Sequence, residues 1–363
     1  MHKETIDFRL SLNETNIIKG IAICAMLFHH LFYETSAYGS ITQQFAIVCK
    51  VCVSMFLFVS GYGMAIQYSK IHHNGFKEKF ILTLKFLLKR LSKFYLNYWI
   101  IFVFIVPLGV CVLGRPLSTA YWTNEPIWCS LAKDILGIQV SDPYIITWWF
   151  NALIISLYLL FPFLFWLMGR KPIAIGLLAL LFLWPREYIV DNFFYILYLW
   201  NSNLTIYTLI FALGIFIAQN IEAINNFLNK IKLPIVLVLS ISISVSLCFI
   251  RQLYAEKYVD AISLDAFITI FIALSVIAFC RMIKLQKSPL AVLGKHSMNI
   301  YLIHTFILMF FFPKIIFECK FSPAIFIALL GESFAISVAI EFAKKKAKFY
   351  ELQNRVLKLF SIK

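Results

Sequence analysis

The chain has 363 residues, of which 61% are hydrophobic and only 14% are charged, and its mean hydropathy is +0.83. This composition excludes an ordinary soluble protein and indicates a protein that crosses a membrane several times. A net charge of +15 would suit a nucleic-acid-binding protein, but the positions of the cations along the chain argue against nucleic acid as a partner.

Ten apolar runs are long enough to cross a hydrocarbon core of about 30 Å. They cover residues 17–33, 44–67, 94–113, 147–168, 172–189, 204–220, 233–250, 262–282, 291–312 and 323–343. A run near 80–92 is interrupted by Lys85, Lys89 and Arg90, and we interpret it as an amphipathic helix on the inner surface. The sequence therefore predicts an all-α, polytopic membrane protein with about ten transmembrane helices.

The distribution of positive charge predicts the orientation of these spans. If both termini are cytoplasmic, most of the 33 lysines and arginines lie on the inner side, as the positive-inside rule requires. They would face anionic lipid head groups there. We expect a single integral-membrane domain over 1–363 with a basic cytoplasmic tail at 344–363. The cations assigned to the outer side are Arg115, Lys133, Arg186, Arg251, Lys257, Lys314 and Lys320.

The first run carries two ionisable residues, Lys19 and His30, eleven positions apart. On an α-helix this separation gives about 16.5 Å of rise and about 1100° of rotation, so the two side chains share one face. His29 lies about 100° away from that face and is the weaker candidate. Ionisable groups inside a membrane span usually face a bundle interior or a wet cavity. The stripe is therefore a predicted functional site.

Two further segments supply small and basic residues. Ser60, Gly61 and Tyr62 lie toward the inner end of the second span, where a glycine lets backbone or a ligand approach closely. Arg90 and Lys93 lie at the inner mouth of the third span, and their cationic groups suit phosphates. Taken alone, the basic pair is also consistent with a positive-inside anchor, and the Ser-Gly-Tyr element with a helix contact.

The ninth span holds Ser297, Tyr301 and His304, whose i, i+4, i+7 spacing places them on one helix face. His304 lies about as far into its span as His30 does into its own, so we expect the two imidazoles at similar depth. A hydrogen-bonded core histidine is the alternative interpretation of His304.

Glu332 and the largest outer loop each allow two interpretations. Glu332, midway along the last span, is either a partner for a proton or a sugar hydroxyl, or a buried acid paired with Lys50 or Arg281. The largest outer loop, about residues 114–145, would contact sugars through its aromatic rings or form an interfacial belt. The loop side chains concerned are Tyr121, Trp122, Trp128, Asp134, Asp142 and Tyr144.

These residues together suggest acyl transfer. Lys19, Arg90 and Lys93 would bind the phosphates of an extended donor such as acetyl-coenzyme A, whose thioester would reach His30. An imidazole kept neutral by desolvation can act as general base on an acceptor hydroxyl, or it can take the acyl group transiently. Glu34 would lie one turn beyond His30, where it would orient the ring or remain an exposed interfacial acid.

The combination resembles the bacterial acyltransferase family 3, polytopic enzymes that O-acetylate surface sugars. That family has a basic residue, ten residues and then a histidine in its first span, as Lys19 and His30 have here. Arg90-x-x-Lys93 is similar to its Arg-x-x-Arg element, with lysine in second place. Phe56-Leu57-Phe58-Val59-Ser60-Gly61-Tyr62 is similar to its aromatic approach to a Ser-Gly-aromatic element, and Gly294, Ser297, Tyr301 and His304 are similar to its late-span element.

The resemblance implies a membrane O-acyltransferase of the bacterial cytoplasmic membrane. It implies acetyl-coenzyme A as donor and a surface polysaccharide or lipid-linked sugar as acceptor. The residues expected to act are His30, Glu34 and His304 in catalysis, Lys19, Arg90, Lys93, Ser60, Gly61 and Tyr62 in donor binding, and Ser297, Tyr301 and Glu332 at the substrate.

Two other classes of function are possible. A proton-coupled transporter or flippase of a sugar-containing substrate would use His30, His304 and Glu332 as a proton relay, and internal repeats and broken helices would be typical of it. A partner-binding membrane subunit would leave the position of His30 on the Lys19 stripe unexplained. No metal site is expected, because Cys49 and Cys52 form a single CxxC and a structural zinc needs four ligands.

Overall fold

The computed structural model describes residues 6–72, 74–121, 125–171, 173–176, 202–255, 262–311 and 321–361. Within these ranges all regular structure is helical, which confirms the all-α prediction. The helices are α1 (Leu12–Phe32), α2 (Ser40–Val48), α3 (Cys52–Tyr68), α4 (Phe76–Cys111), α5 (Leu117–Ala120), α6 (Ile127–Ile135), α7 (Trp149–Met168), α8 (Ser202–Gln219), α9 (Ile221–Leu228), α10 (Leu233–Ala255), α11 (Ile262–Met282), α12 (Pro289–Lys295), α13 (Ser297–Phe306), α14 (Ser322–Lys346) and α15 (Phe349–Leu359).

Three short segments of other helix types adjoin these helices. A 3-10 turn, Cys49–Val51, joins α2 to α3, and another, Ile146–Trp148, precedes α7. A π-helix, Ile307–Phe311, continues α13. Such tightened or widened turns often occur at functional sites.

Seven helices of the described ranges are long and apolar enough to cross a membrane, or eight if the bent pair α8–α9 counts as one span. These lengths and compositions agree with a polytopic membrane protein. The fifth predicted span, 172–189, lies largely outside the described residues, as residues 172 and 177–189 belong to the gaps. The total of about ten spans and the cytoplasmic position of both termini stay predictions.

Two of the predicted boundaries are wrong. The amphipathic segment 80–92 and the third span form one unbroken helix, α4, of 36 residues, which is about 54 Å long. It therefore exceeds the hydrocarbon thickness without a break at its basic residues. The ninth predicted span, 291–312, is interrupted at His296, which caps α12 before α13 begins.

The described chain clusters into two compact units, each with helices from both halves of the sequence. Unit 1 comprises Met1–Gln67 and Phe163–Ser297, and unit 2 comprises Tyr68–Pro162 and Met298–Lys363. The expectation of one integral-membrane domain stays a prediction.

In unit 1, helices α1 and α12 cross closely at two contacts that only glycine permits. A Cβ at Gly294 of α12 would lie 2.7 Å from the carbonyl carbon of Asn16 in α1, and a Cβ at Gly20 of α1 would lie 2.8 Å from that of Leu290. These distances are shorter than a normal carbon–carbon contact of about 3.5 Å. Small residues are the usual means by which membrane helices approach each other, so the two glycines set the position of α1.

Two asparagine side chains, Asn225 and Asn229, form hydrogen bonds to the backbone of the N-terminal segment of unit 1. The amide oxygen of Asn229 accepts from the backbone N–H of Ile6 at 2.7 Å and its nitrogen donates to the Ile6 carbonyl at 2.9 Å. Asn225 accepts from the N–H of Phe8 at 2.9 Å, whose ring is buried in an apolar cluster. These contacts fix the segment that leads into α1.

The last helices of unit 2 share a buried polar network. Lys344 of α14 is buried and its ammonium donates at 3.0 Å to Asn97, Asn299 and Glu341. Lys344 therefore belongs to the interior of unit 2, and α14 continues to Lys346. This differs from the predicted basic tail, which we expected to begin at Lys344. Helix α15 follows with Phe349 and Gln353 on its buried face.

Candidate functional site

Helix α1 carries the predicted stripe in unit 1. It begins with a capping box in which Ser11 and Glu14 satisfy each other's backbone N–H groups, a strong N-terminal signal. The helix runs unbroken from Leu12 to Phe32, so the helical relation between Lys19 and His30 is as predicted. Both side chains are partly buried.

His29 and His30 differ in their surroundings. The Nδ1 atom of His29 lies 2.8 Å from the carbonyl oxygen of Ala46 in α2. Because a carbonyl can only accept, this nitrogen carries the proton. The ring of His29 stacks on Tyr33 with 4.4 Å between centroids, and its edge meets the ring of His30 at 5.2 Å. His29 therefore has a structural hydrogen bond, and its place as the weaker catalytic candidate stays a prediction.

Glu34 lies beyond the end of α1, which terminates at Phe32 with Tyr33 as its cap. The carboxylate is exposed and accepts a hydrogen bond from the Tyr33 hydroxyl. Its assumed place one helical turn above His30 is wrong, because the helix does not extend that far. A role for Glu34 in orienting His30 stays a prediction.

The Ser60-Gly61-Tyr62 element lies within α3, and two of its residues have packing roles. A Cβ at Gly61 would lie 3.1 Å from the Phe211 carbonyl carbon of α8. The hydroxyl of Tyr62 accepts from the backbone N–H of Leu10 at 3.2 Å. The close approach expected at the glycine is thus one of backbone to backbone, and a contact of Ser60, Gly61 or Tyr62 with a donor stays a prediction.

Arg90 and Lys93 lie on α4 in unit 2, within the continuous helix. The guanidinium of Arg90 is 5.6 Å from the ring centroid of Phe86, a cation–π geometry. Its Nη2 atom is buried and has no hydrogen-bond acceptor among the described residues. A buried donor of this kind is costly unless a ligand or water satisfies it.

Ser297, Tyr301 and His304 fall in one helix, α13, as the spacing predicted. The Tyr301 hydroxyl donates to the Thr147 carbonyl at 2.9 Å and to Asn151 Oδ1 at 3.2 Å, both in unit 2. Asn151 is fully buried, and its Nδ2 has no acceptor among the described residues. Sequence reasoning missed Asn151 because a single amide in an apolar run carries no pattern.

His304 ends a directed chain of hydrogen bonds. Its Nδ1 lies 2.8 Å from the carbonyl oxygen of Tyr301 and 3.1 Å from that of Ile300, and it donates because a carbonyl can only accept. In the neutral ring Nε2 must accept, so the Thr305 hydroxyl, 3.2 Å away, donates to it. The Thr305 oxygen lies 2.9 Å from Thr147 Oγ1 and accepts from it. The ring is fully buried, and its catalytic role stays a prediction.

Glu332 lies on α14 in unit 2, and its Oε2 atom is buried with no hydrogen-bond donor among the described residues. Arg281, one of its suggested partners, pairs with the buried Glu14 at 3.3 Å in unit 1. The pairing of Glu332 with Lys50 or Arg281 stays a prediction. The role of Glu332 at a substrate stays a prediction.

A buried ion pair in unit 1 was also missed. Arg251 was assigned to the outer side as a loop cation, but it lies inside α10 and is buried. Both oxygens of Asp265, in α11, accept hydrogen bonds from its guanidinium. Opposite charges near adjoining ends of two consecutive spans were the available signal.

Segment 114–145 uses three of its predicted sugar-contacting groups, Tyr121, Asp134 and Tyr144, internally. The buried carboxylate of Asp134 accepts from the Tyr121 hydroxyl at 3.0 Å and from the Tyr144 N–H at 2.8 Å. Burial raises the pKa of Asp134 to about 6, against the lowering effect of these hydrogen bonds. The sugar-contact interpretation therefore does not suit Asp134, Tyr121 and Tyr144. Trp128 is exposed, and Trp122 lies outside the described residues.

A model of an acyltransferase domain, acyltransferase family 3, matches residues 12–342. No curated protein and no solved structure shows a significant match. The matched region contains all of the predicted catalytic, donor-binding and substrate residues. Since it covers almost the whole chain, the chain belongs to acyltransferase family 3 and is a membrane acyltransferase.

Proposed function

We propose that the protein transfers an acetyl group from acetyl-coenzyme A to a hydroxyl of a cell-surface polysaccharide or lipid-linked sugar, in the bacterial cytoplasmic membrane. The observation that carries this proposal is α1 itself. It is an unbroken helix that holds Lys19 and His30 on one face in a chain of an acyltransferase family. The neighbouring His29 is already bound to a backbone carbonyl.

The proposed chemistry needs one base and one cation cluster. The imidazole of His30 takes the proton of the acceptor hydroxyl, whose oxygen attacks the thioester carbonyl of the donor. The carbon–sulfur bond breaks, and the imidazolium returns the proton to the leaving thiolate. The products are an acetyl ester and coenzyme A, so atoms and protons balance without a further reactant.

Arg90 supports the proposed binding of the donor through phosphate. Its Nη2 has no acceptor among the described residues, and a guanidinium fork matches the oxygens of a phosphate. Lys93, one turn later on the same helix, is exposed and adds a second cation. Lys19 of α1 and Ser60, Gly61 and Tyr62 of α3 keep the donor-binding role that the family resemblance implies for them.

The test is transfer of radiolabelled acetyl from acetyl-coenzyme A in membranes that contain the protein. We expect His30→Ala to lower transfer by about 100-fold or more, while His72→Ala, an exposed histidine between α3 and α4, leaves it unchanged. Transfer that persists in His30→Ala at equal protein level would remove His30 from the mechanism.

Donor binding is tested separately. Arg90→Ala should raise the KM for acetyl-coenzyme A by about tenfold or more, since hydrogen bonds to charged groups contribute about 1.5–3 kcal/mol. Lys89→Ala is the matched control, because it removes an exposed cation from the adjacent position. Equal KM values for the two variants would contradict a phosphate contact at Arg90.

Transport of a sugar-containing substrate is the second candidate, and one observation favours it. Helices α8 and α9 meet at an angle of 72° at a short break, and broken helices are typical of secondary transporters. A transporter would move substrate across proteoliposomes without acetyl-coenzyme A. Acetyl transfer that depends on His30, without such uptake, would exclude it.

A further inference from the structure

The buried pair Arg251–Asp265 lies where a membrane protein has no general need for charge. Both residues belong to membrane-spanning helices of unit 1, α10 and α11, and both are almost completely buried. Taking two charges out of water costs more than a hydrophobic contact of the same size in many proteins. Ionisable groups in such segments are therefore functional candidates by default.

Arg251 also binds a backbone carbonyl of α2. Arg251 Nη1 donates to the Ile47 carbonyl of α2 at 3.2 Å, two residues before the 3-10 turn Cys49–Val51. A change from α-helix to 3-10 helix alters which N–H groups reach the carbonyls of the preceding turn. The guanidinium therefore supplies a donor at the point where the helix changes its hydrogen-bond pattern, and Asp265 holds the guanidinium in place.

The carbonyl of Ala46, one residue before Ile47 in α2, is bound by a side chain of α1. It accepts from His29 Nδ1 of α1 at 2.8 Å. Two successive carbonyls of α2 are thus held by two side chains, Arg251 from α10 and His29 from α1. The ring of His29 touches that of His30 edge-on, with 5.2 Å between centroids. A route from the pair to His30 therefore runs through the Ile47 and Ala46 carbonyls of α2 and the ring of His29, by two hydrogen bonds and one ring contact.

We propose that Asp265 and Arg251 are positioning residues for His30. They hold the end of α2 next to the 3-10 turn Cys49–Val51. The Ala46 carbonyl of α2 in turn holds the ring of His29, and His29 limits the orientations open to the adjacent imidazole. This inference rests on the proposed function of His30, because it assigns the pair a role in the same reaction. The pair itself touches neither donor nor acceptor in this role.

The experiment compares Asp265→Asn, Arg251→Lys and two substitutions of His29 in full-length protein. Asp265→Asn and Arg251→Lys should lower kcat for acetyl transfer by about tenfold or more, the effect of a small misplacement of a reacting group. The KM for acetyl-coenzyme A should stay within about twofold, since the pair does not bind the donor. Glu222→Gln, which removes an exposed ion pair with Arg9 in the same unit, should change neither value.

The two substitutions of His29 keep the proposal testable if Asp265→Asn or Arg251→Lys prevents folding. His29→Asn retains an amide donor near the position of Nδ1, whereas His29→Ala removes it. We expect His29→Ala to lower kcat and His29→Asn to restore most of it. Equal kcat values in these two variants and in the unsubstituted protein would overturn the proposal.

A structural readout separates this inference from the proposed function. Cys49 begins the 3-10 turn, Cys52 directly follows it, and both are buried, so their labelling by a membrane-permeant maleimide, read by peptide mass spectrometry, reports the state of this turn. Asp265→Asn should increase labelling at both cysteines together with the fall in kcat. Increased labelling with unchanged kcat would overturn the positioning role. An unsubstituted protein without acetyl transfer would instead overturn the proposed function.

Discussion

The crossing of α1 and α12 allows the sharpest test of how unit 1 holds its candidate base. Gly294→Ala adds a Cβ that would lie 2.7 Å from the Asn16 carbonyl carbon and closer still to the oxygen. The oxygen would lie 1.8 Å away. A normal carbon–oxygen contact is about 3.3 Å, so the two backbones must separate by about 1.5 Å. Because both sides of the contact are backbone, no side chain can rotate away to make room.

The expected cost follows from this displacement. Overpacking of this kind costs about 1–3 kcal/mol, while alanine gains about 1 kcal/mol over glycine in helix propensity. Gly63→Ala in α3 is the matched control, because a Cβ there meets nothing within 4 Å. The propensity gain is common to both, so Gly294→Ala should be less stable than Gly63→Ala by the full packing cost.

Unfolding in detergent measures this difference, and acetyl transfer measures its consequence. A shift of α1 moves His30, and a misplacement of about 1 Å can lower a rate about 100-fold. Gly20→Ala acts on the same crossing, against Leu290, so the double variant should lose less than the sum of the single losses. Equal stability of Gly294→Ala and Gly63→Ala, or strict additivity with Gly20→Ala, would refute this account of the crossing.

Three further outcomes are expected. The pKa of about 6 at Asp134 lies above its unfolded value, so its stabilisation is complete below about pH 4 and is lost as the pH rises through 6. Hydrogen exchange in segment 114–145, corrected for intrinsic rates, should therefore accelerate as the pH rises from about 4 to above 6. Asp134→Asn should abolish this dependence of the exchange rate on pH. Asn229→Ala removes both hydrogen bonds to Ile6, so exchange in residues 6–10 should rise by about tenfold; an unchanged rate would contradict that anchoring. Tyr301→Phe removes the hydroxyl that donates to the buried Asn151 Oδ1 and to the Thr147 carbonyl, which keeps the Trp149 N–H as a donor. It should lower stability by about 1–3 kcal/mol, as measured by unfolding in detergent; a fully stable variant would contradict a stabilising role of this hydroxyl.

Local patterns in the sequence were sufficient for the features that depend on the chain's own periodicity. Long apolar runs predict helices because backbone groups in lipid must bond within their own segment, and α1, α7, α11 and α14 lie where these runs predicted. The shared face of Lys19 and His30 follows from helix geometry alone. The family resemblance, confirmed over residues 12–342, rested on the same short-range spacings.

Tertiary structure decided which of these residues have structural partners. Tyr62 binds the N-terminal segment, Gly294 packs on Asn16, and Arg251 forms an ion pair with Asp265. The physical reason is that such contacts join positions that lie far apart, by 14 residues for Arg251 and Asp265 and 52 for Leu10 and Tyr62, and a helix period specifies a face but not its neighbour. The break at His296 and the early end of α1 before Glu34 were decided in the same way. Hydropathy records that a segment is apolar, whereas close packing determines where its helix bends and ends.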